Sequence, residues 1–388
     1  MLKSRLVVLA AGAMIFAAAC SSSGSSAAPS AAASGAGVGT VGKDCVVGVS
    51  WNNYQQPRWA AHDQPGIKNT VEGAGGTYLD KDANLSAEQQ LTDIDTLIAQ
   101  KAKVLILLAQ DAKAVAPAIQ KAKDAGIPVI AYDRLLEDAS TLYLSFDNVA
   151  VGKAQAAAVI AKVPTGNYVL IKGDPGDANA STFLPQGWDQ AGLKDAVTAG
   201  KIKLLNGPDG TFTDAWKTEK AQSNMEAIID KAVSDGTKID AILAENDSTA
   251  LGVVGALTSK SYGYPPLSGQ DGDQSNLNNV AQGKQYVDVW KNANELGKAA
   301  GALAVQMCGG TKVADTSLPA GFIDASVAPT SLKAVPFTTP GGLTVSSFIL
   351  QPTPLTADNL QVAIDGGQIT KADLCKGVDA ATAPPACK

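Results

Sequence analysis

The chain has 388 residues, 45% of them hydrophobic and 18% charged, with a formal net charge of −6. This length predicts about two to three domains, and the composition is that of a globular protein with a sizeable core. An acidic balance without a cluster of Lys or Arg argues against nucleic acid and against a polybasic membrane contact. The single histidine, His62, excludes zinc sites built on several histidines, and the sequence contains no phosphate-binding glycine loop.

Residues 1–19 have the pattern of a signal peptide. Two cations precede an apolar run, 6–19, that is too short to cross a bilayer. The run ends in three alanines and Cys20, which resembles the lipobox of bacterial lipoproteins, so Cys20 is expected to carry a lipid. A plain secretory leader cleaved near Ala19 is the alternative. Residues 20–42 are rich in Ser, Ala and Gly and predict a flexible tether that holds the body on the outer face of the cytoplasmic membrane.

Four further cysteines remain, which are Cys45, Cys308, Cys375 and Cys387. An even number in an exported chain indicates two disulfides, and three pairings are possible. The short proline-containing segment between Cys375 and Cys387 favours a bond between these two, which leaves Cys45 to pair with Cys308. No CxxC motif is present, so no redox function is expected.

From residue 45 onward, short apolar runs alternate with amphipathic segments. The runs are typical of strands buried on both faces of a parallel sheet, and they are 45–51, 104–109, 127–133, 167–172, 202–205, 239–245 and 286–290. The predicted helices are 87–101, 113–125, 149–162, 216–234, 248–259 and 293–307. Ser86 is expected to cap the first of these helices, and Gly126 and Gly236 follow two others as C-caps. So many strand–helix units predict two similar lobes.

Polar residues follow the predicted strands, in the clusters Trp51-Asn52-Asn53, Asp133-Arg134, Gly173-Asp174, Asn246-Asp247 and Gln270-Asp271. Ligands of open α/β sheets bind outside the carboxyl ends of the strands, so clusters from both halves predict one cleft. Arg134 supplies a rigid fork of donors, and Trp59 and Trp216 supply flat apolar faces. This mixture suits a sugar, which has hydroxyl edges and apolar ring faces.

Ten stretches carry a specific resemblance, and they are PRW (57–59), IPVIAYDR (127–134), SFDN (145–148), VGKAQA (151–156), PTGNY (164–168), DANA (177–180), GKIK (200–203), IDAILAENDSTALG (239–252), SGQDGD (268–273) and VDVWK (287–291). In these stretches and their order, the chain from about 45 to 371 resembles the periplasmic sugar-binding proteins of ABC importers. The likeness is to the D-xylose-binding branch of the type I, ribose-binding-like superfamily. The chain departs from that pattern at DANA, where the branch has DNNA, and in a longer stretch at 334–347.

The resemblance implies an α/β protein of two Rossmann-like lobes with parallel sheets, joined by a three-strand hinge. The implied parts are an N-terminal lobe of 45–147 plus 292–330, a C-terminal lobe with hinge of 148–291 plus 331–371, and a Cys-bearing tail of 372–388. The hinge is expected near 146–148, near 288–291 and within 330–347.

The resemblance also implies ten sugar-binding residues, which are Arg58, Trp59, Asp133, Arg134, Asp177, Asn179, Trp216, Asn246, Asp271 and Lys291. The alternatives are core packing for the tryptophans, a structural ion pair for Asp133 with Arg134, and turn chemistry for Asp177 with Asn179. Asp247 is expected to cap the following helix, and His62 to lie on a helix surface. Residues 51–53 are expected in or behind the site. The amides there replace acidic residues of the xylose-binding branch, an exchange that favours another sugar such as glucose.

The sequence therefore predicts a lipid-anchored extracytoplasmic receptor that captures a monosaccharide by hinge closure and delivers it to an ABC importer permease. D-xylose is the first expectation, and glucose or another aldose is the alternative. The protein is expected to be a monomer without metal, cofactor or nucleic acid. A sensor that reports sugar to a membrane signalling receptor has the same site. A glycosidase that uses Asp133 and Asp271 as its two carboxylates is the enzymatic alternative.

Overall fold

The computed structural model describes residues 38–388. The predicted signal peptide, the lipidation at Cys20 and the tether up to residue 37 lie outside the described residues. Within the described part, no helix is both long and apolar enough to span a membrane.

The strands are β1 (Val46–Trp51), β2 (Thr77–Asp82), β3 (Val104–Leu107), β4 (Val129–Tyr132), β5 (Thr141–Phe146), β6 (Gly166–Ile171), β7 (Ile202–Leu204), β8 (Ala241–Ala244), β9 (Ser268–Asp271), β10 (Val287–Trp290), β11 (Val335–Thr338), β12 (Thr344–Leu350) and β13 (Thr353–Leu355). The helices are α1 (Gln64–Gly73), α2 (Ala87–Ala99), α3 (Ala116–Asp124), α4 (Asn148–Lys162), α5 (Leu184–Gln190), α6 (Leu193–Thr198), α7 (Thr218–Ser234), α8 (Asp247–Ser259), α9 (Gln274–Ala281), α10 (Ala293–Cys308), α11 (Gln361–Asp365) and α12 (Lys371–Leu374). Single π-helical turns, Trp59–Asp63 and Asn179–Phe183, lead directly into α1 and α5.

The first lobe is built on a seven-stranded sheet in the order β11-β12-β5-β4-β3-β1-β2. All neighbouring strands are parallel except β11 and β12, which are antiparallel. Successive residues of a strand point to opposite faces of the sheet, and helices pack on both faces. Val104 and Ile106 of β3 belong to the core that includes Ile67 of α1, whereas Leu105 and Leu107 belong to the core with α2 and α3.

The second lobe contains two three-stranded sheets, β7-β6-β8 and β13-β10-β9. A single parallel bridge between Ile242 and Leu267 connects them. Their pairs are parallel apart from β10 with β13. The carboxyl ends of β4, β8 and β9 therefore carry the loops that reach the space between the lobes.

The chain passes between the lobes at three places: between β5 and α4, between β10 and α10, and between β12 and β13. The third place differs from the prediction. The segment 331–371 was expected in the second lobe with its crossing within 330–347, but β12 pairs in parallel with β5 of the first sheet. Val345, Phe348 and Leu350 of β12 are buried in the first lobe, so the chain crosses only after Leu350.

Two disulfides are present in the described chain, Cys45–Cys308 and Cys375–Cys387, which is the pairing that the spacing favours. The first joins the start of β1 to the end of α10. The second closes the tail, which packs on α9 of the second lobe. There, the Nδ2 of Asn278 donates to the carbonyl oxygens of Leu374 and Lys376, each at 2.8 Å.

Candidate functional site

One cavity between the lobes is lined by all ten residues that the resemblance implies, together with Gln56 and Gln270. The first lobe contributes Gln56, Arg58, Trp59, Asp133 and Arg134, and the second contributes Asp177, Asn179, Trp216, Asn246, Gln270 and Asp271, with Lys291 at a crossing. The cavity measures about 280 Å³, counted with its opening to solvent. Ligand sites of proteins are clefts in which a few polar groups converge to orient the ligand, and this cavity has that character.

Three of the lining residues have left-handed backbone, which is unfavourable for residues with a side chain. Asp133 has a φ of 61°, Trp216 a φ of 58° and Asp271 a φ of 108°. Such conformations cost about 1–3 kcal/mol each and concentrate at functional sites. Asp133 follows β4 and Asp271 ends β9, so the strained backbone turns each carboxylate from the sheet into the cavity.

Arg58 is the centre of a buried ion network that connects the lobes. Its Nη1 lies 2.7 Å from the Oδ1 of Asp271 and 3.3 Å from the Oδ1 of Asp133. Behind it, Nε and Nη2 donate to the two carboxylate oxygens of Asp63, which also accepts from the Tyr132 hydroxyl at 2.6 Å. Burial opposes the charge of Arg58, but the surrounding carboxylates outweigh it and raise the pKa of Arg58 above its ordinary value. The guanidinium is thus held charged and in one orientation.

Lys291 completes this network from the crossing after β10. Its Nζ lies 3.2 Å from the Oδ1 of Asp133 and 3.4 Å from the Oδ1 of Asp271. Burial raises the pKa of Asp133, but the cations Lys291, Arg58 and Arg134 outweigh burial and lower it below the ordinary value. Asp133 is therefore an ionised acceptor for hydroxyl groups. A glycosidase instead needs one carboxyl with a raised pKa to protonate the leaving oxygen, and Asp133 is unsuited to that role.

A second pair connects the lobes at the other side of the cavity. The Nε of Arg134 lies 3.1 Å from the Oδ2 of Asp177, and its Nη1 donates to the Ala109 carbonyl at 2.9 Å. Burial raises the pKa of Asp177, and Arg134 partly offsets that rise. Asn179 is fixed by Asn148, whose Nδ2 donates to its Oδ1 at 2.9 Å. The ion pair expected as the alternative joined Asp133 to Arg134, whereas here Arg134 pairs with Asp177 and Asp133 pairs with Arg58 and Lys291. The turn expected for Asp177 with Asn179 is present, because the N–H of Asn179 donates to the Oδ1 of Asp177 at 2.9 Å.

Asn246 lines the cavity and also begins α8. Its Oδ1 accepts from the backbone N–H of Thr249 at 2.9 Å, and its own N–H donates to the Thr249 hydroxyl, which forms a capping box. These contacts leave the Nδ2 amide of Asn246 to donate to a ligand. The expectation that Asp247 caps this helix is wrong. Its Oδ2 instead accepts from the backbone N–H groups of Gly272 and Asp273, at 3.0 and 2.7 Å, and so holds the loop after Asp271.

The aromatic residues offer both flat faces and polar atoms. The Arg58 guanidinium lies 4.2 Å from the centroid of the Trp59 ring, and Trp59 Nε1 donates to Gln56 Oε1 at 2.9 Å. Trp216 Nε1 and Gln270 Oε1 are buried and have no hydrogen-bond partner among residues 38–388. An unpaired buried polar group costs about 1–3 kcal/mol, so a ligand with hydroxyl groups gains affinity by pairing them.

Two lining residues are absent from the ten that were predicted. Gln270 belongs to one of the polar clusters at strand ends, and that rule alone indicates it. Gln56 lies in an irregular loop before Arg58, and only its closeness to the PRW stretch marks it. The amides before it lie behind the cavity wall, where Asn53 Oδ1 accepts from the backbone N–H of Gln56 at 3.0 Å. His62 was expected on a helix surface but is buried, and burial lowers its pKa.

Residues 47–312 match the family described as periplasmic binding protein domain. The chain belongs to this family. The D-xylose-binding periplasmic protein of Escherichia coli (strain K12) is 33% identical over 285 residues, which are 73% of this chain and 84% of that protein. The multiple sugar-binding periplasmic receptor ChvE of Rhizobium radiobacter is 28% identical over 352 residues, 85% of this chain and 92% of that protein.

Among solved structures, an ABC transporter solute-binding protein from Clostridium phytofermentans with bound β-D-glucose has a TM-score of 0.74 and 30% identity, and the match covers 85% of this chain and 99% of that chain. The two lobes and this likeness confirm the expected type I periplasmic binding protein fold. The family and the relatives are binding proteins rather than enzymes, so this chain is a binding protein.

Proposed function

We propose that this protein is an extracytoplasmic receptor that captures a monosaccharide between its lobes and delivers it to the permease of an ABC importer. The observation that carries the proposal is the meeting of twelve lining residues from both lobes on one cavity. The cavity wall contains charged groups, which suit hydroxyls, and aromatic faces, which suit a sugar ring. The relatives named for D-xylose and for multiple sugars support a sugar as the ligand.

D-xylose is the first candidate ligand. The D-xylose-binding periplasmic proteins of Escherichia coli and Haemophilus influenzae are 33% and 32% identical to this chain. D-glucose is the second candidate, because the solute-binding protein from Clostridium phytofermentans holds β-D-glucose at 30% identity. The site is the same for both sugars, and the additional hydroxymethyl group of glucose is the feature that separates them.

Capture by lobe closure follows from the contacts that span the cleft. Arg58 and Asp271 come from opposite lobes, as do Arg134 and Asp177. A sugar that contacts both sets binds the closed arrangement more tightly than an open one, and this difference in affinity shifts the population toward closure. The permease then recognises the closed pair of lobe surfaces. The protein acts as a monomer anchored by a lipid on Cys20.

Calorimetric titration tests the proposal, with the chain from Ser21 onward and D-xylose, D-glucose, L-arabinose, D-ribose and D-galactose as ligands. One-to-one binding of D-xylose, tighter than about 10 μM or roughly −7 kcal/mol, is the expected result. Tighter binding of D-glucose keeps the receptor and reassigns its ligand. Failure of all five sugars to bind refutes the proposed function.

A further inference from the structure

A larger second cavity adjoins the one already described. It measures about 1620 Å³, counted with its opening to solvent, against about 280 Å³ for the inner cavity. Arg134 and Asp177 line both cavities. The wall between them therefore includes a single layer of side chains, closed by the ion pair at 3.1 Å.

The two residues of this wall belong to opposite lobes. Arg134 follows β4 in the first lobe, and Asp177 precedes the π-helical turn that leads into α5 in the second. Their separation therefore changes with the closure of the lobes. At 3.1 Å the two side chains are in direct contact, so a ligand that spans both cavities has to separate Arg134 from Asp177.

The lining of the outer cavity has the same mixture of groups that suits a sugar ring. Ile119 and Leu135 are buried and give it an apolar floor. Gln110, Asp111 and Lys113 are solvent-accessible and supply donors and acceptors at its edge. An apolar floor with a polar edge matches the apolar face and the hydroxyl rim of a pyranose.

The turn between β11 and β12 supplies another part of the lining through Pro340. This turn is tied to the β4–β5 connection, because the backbone N–H of Gly341 donates to the Oε1 of Glu137 at 2.9 Å. Phe337 of β11 also packs against Phe183 of the second lobe, with ring centroids 5.9 Å apart. Both lobes and the β11–β12 turn thus enclose the outer cavity.

We propose that the outer cavity is a second sugar subsite, which takes the ring linked to the one held in the inner cavity. The receptor then binds disaccharides as well as monosaccharides, with the glycosidic oxygen between Arg134 and Asp177. This inference rests on the proposed function of the inner cavity. It extends the ligand class of that site from single aldoses to the end of a short oligosaccharide.

Titration of the chain from Ser21 onward with D-xylose, D-glucose, xylobiose, cellobiose and maltose tests the inference. The decisive variant is Ala116→Trp, because Ala116 is exposed at the start of α3 and lines only the outer cavity. A tryptophan there fills the outer cavity without touching the inner one. Lys113→Trp fills it from the preceding loop, and Gln120→Trp places the same ring on an exposed position of α3 outside both cavities.

The wild-type protein is expected to bind at least one of the disaccharides with one-to-one stoichiometry. Ala116→Trp and Lys113→Trp are each expected to weaken that binding by at least about tenfold, or about 1.4 kcal/mol, and to leave monosaccharide affinity unchanged. Gln120→Trp is expected to change neither affinity. Failure of every disaccharide to bind, or disaccharide affinity insensitive to both filling variants, overturns the inference. Misfolding is recognised by loss of monosaccharide binding in the same sample, and failure of the wild-type protein to bind monosaccharides refutes the proposed function instead.

Discussion

Asn246 performs two separable tasks, and a pair of substitutions distinguishes them. Its Oδ1 caps α8 through the N–H of Thr249, whereas its Nδ2 is the group available to a ligand in the cavity. Serine is as good a helix cap as asparagine, but its side chain carries no amide that reaches a ligand. Asn246→Ser therefore removes the ligand contact and keeps the cap, and Asn246→Ala removes both.

The expected magnitudes follow from these two contacts. Loss of an asparagine cap to alanine costs about 1 kcal/mol of folding stability, within a range of about 0.5–2 kcal/mol. A sugar hydroxyl left unpaired in a buried site costs about 1–3 kcal/mol of binding free energy. At about 1.4 kcal/mol per factor of ten, the affinity falls by roughly 5- to 150-fold in both variants.

Titration calorimetry measures the affinity, and denaturant unfolding without sugar measures the stability. Asn246→Ser is expected to match the wild-type protein in unfolding free energy and to match Asn246→Ala in its weakened binding. Wild-type affinity in Asn246→Ser refutes the assignment of Nδ2 to the ligand. A stability loss in Asn246→Ser as large as that in Asn246→Ala refutes the assignment of Oδ1 to the cap.

Three further predictions address other parts of the molecule. Arg134→Ala leaves Asp177 buried without its cation, so sugar affinity is expected to fall by at least about tenfold. The circular dichroism spectrum is expected to stay unchanged. Near-normal affinity contradicts the site assignment. Burial raises the pKa of Asp273 to about 8 and that of Asp288 to about 7, so the folded protein holds these protons more tightly than the unfolded chain. The unfolding free energy is then expected to fall from pH 5.5 to pH 8, by at most about 1.4 kcal/mol per pH unit for each carboxyl. Asp288→Asn is expected to make this fall less steep. A melting temperature that does not fall over this range contradicts the reasoning. Cys20→Ala is expected to move the protein from the membrane fraction to the soluble exported fraction, and unchanged fractionation excludes the lipid anchor.

The strand–helix alternation could be predicted because its signals are local. Of the ten lining residues, Asp133, Arg134, Asn246 and Asp271 lie in the polar clusters at strand ends. The other six were implied as sugar-binding residues by the family resemblance. A buried parallel strand has a continuous apolar run, and its polar end marks the rim of the cleft. The third crossing could not be predicted in this way. The segment before β12 contains Pro336, Pro340 and two adjacent glycines, which are typical of a loop, whereas the pairing of β12 with β5 depends on residues about 200 positions apart.

The contacts of His62 and Asp247 also depend on distant parts of the chain and could not be predicted from the local sequence. His62 was expected to be exposed from its position on a helix, but the π-helical turn Trp59–Asp63 that contains it packs against α10 and buries it. Asp247 was expected to cap its own helix, but its partners are backbone N–H groups of the loop that follows β9. The sequence pattern within one helix or strand indicates which side chains are polar. It does not indicate which distant backbone groups those side chains hydrogen-bond to.

The charges of the inner cavity narrow the ligand class further. Arg58, Arg134 and Lys291 line it together with Asp133, Asp177 and Asp271, so three cations stand against three carboxylates. Every one of these groups has an opposite charge within 3.5 Å, and an additional buried charge has no partner left to neutralise it. Hydroxyl groups, by contrast, donate to the carboxylates and accept from the cations without changing the balance. The balanced charges therefore support the neutral aldose that is proposed as the ligand.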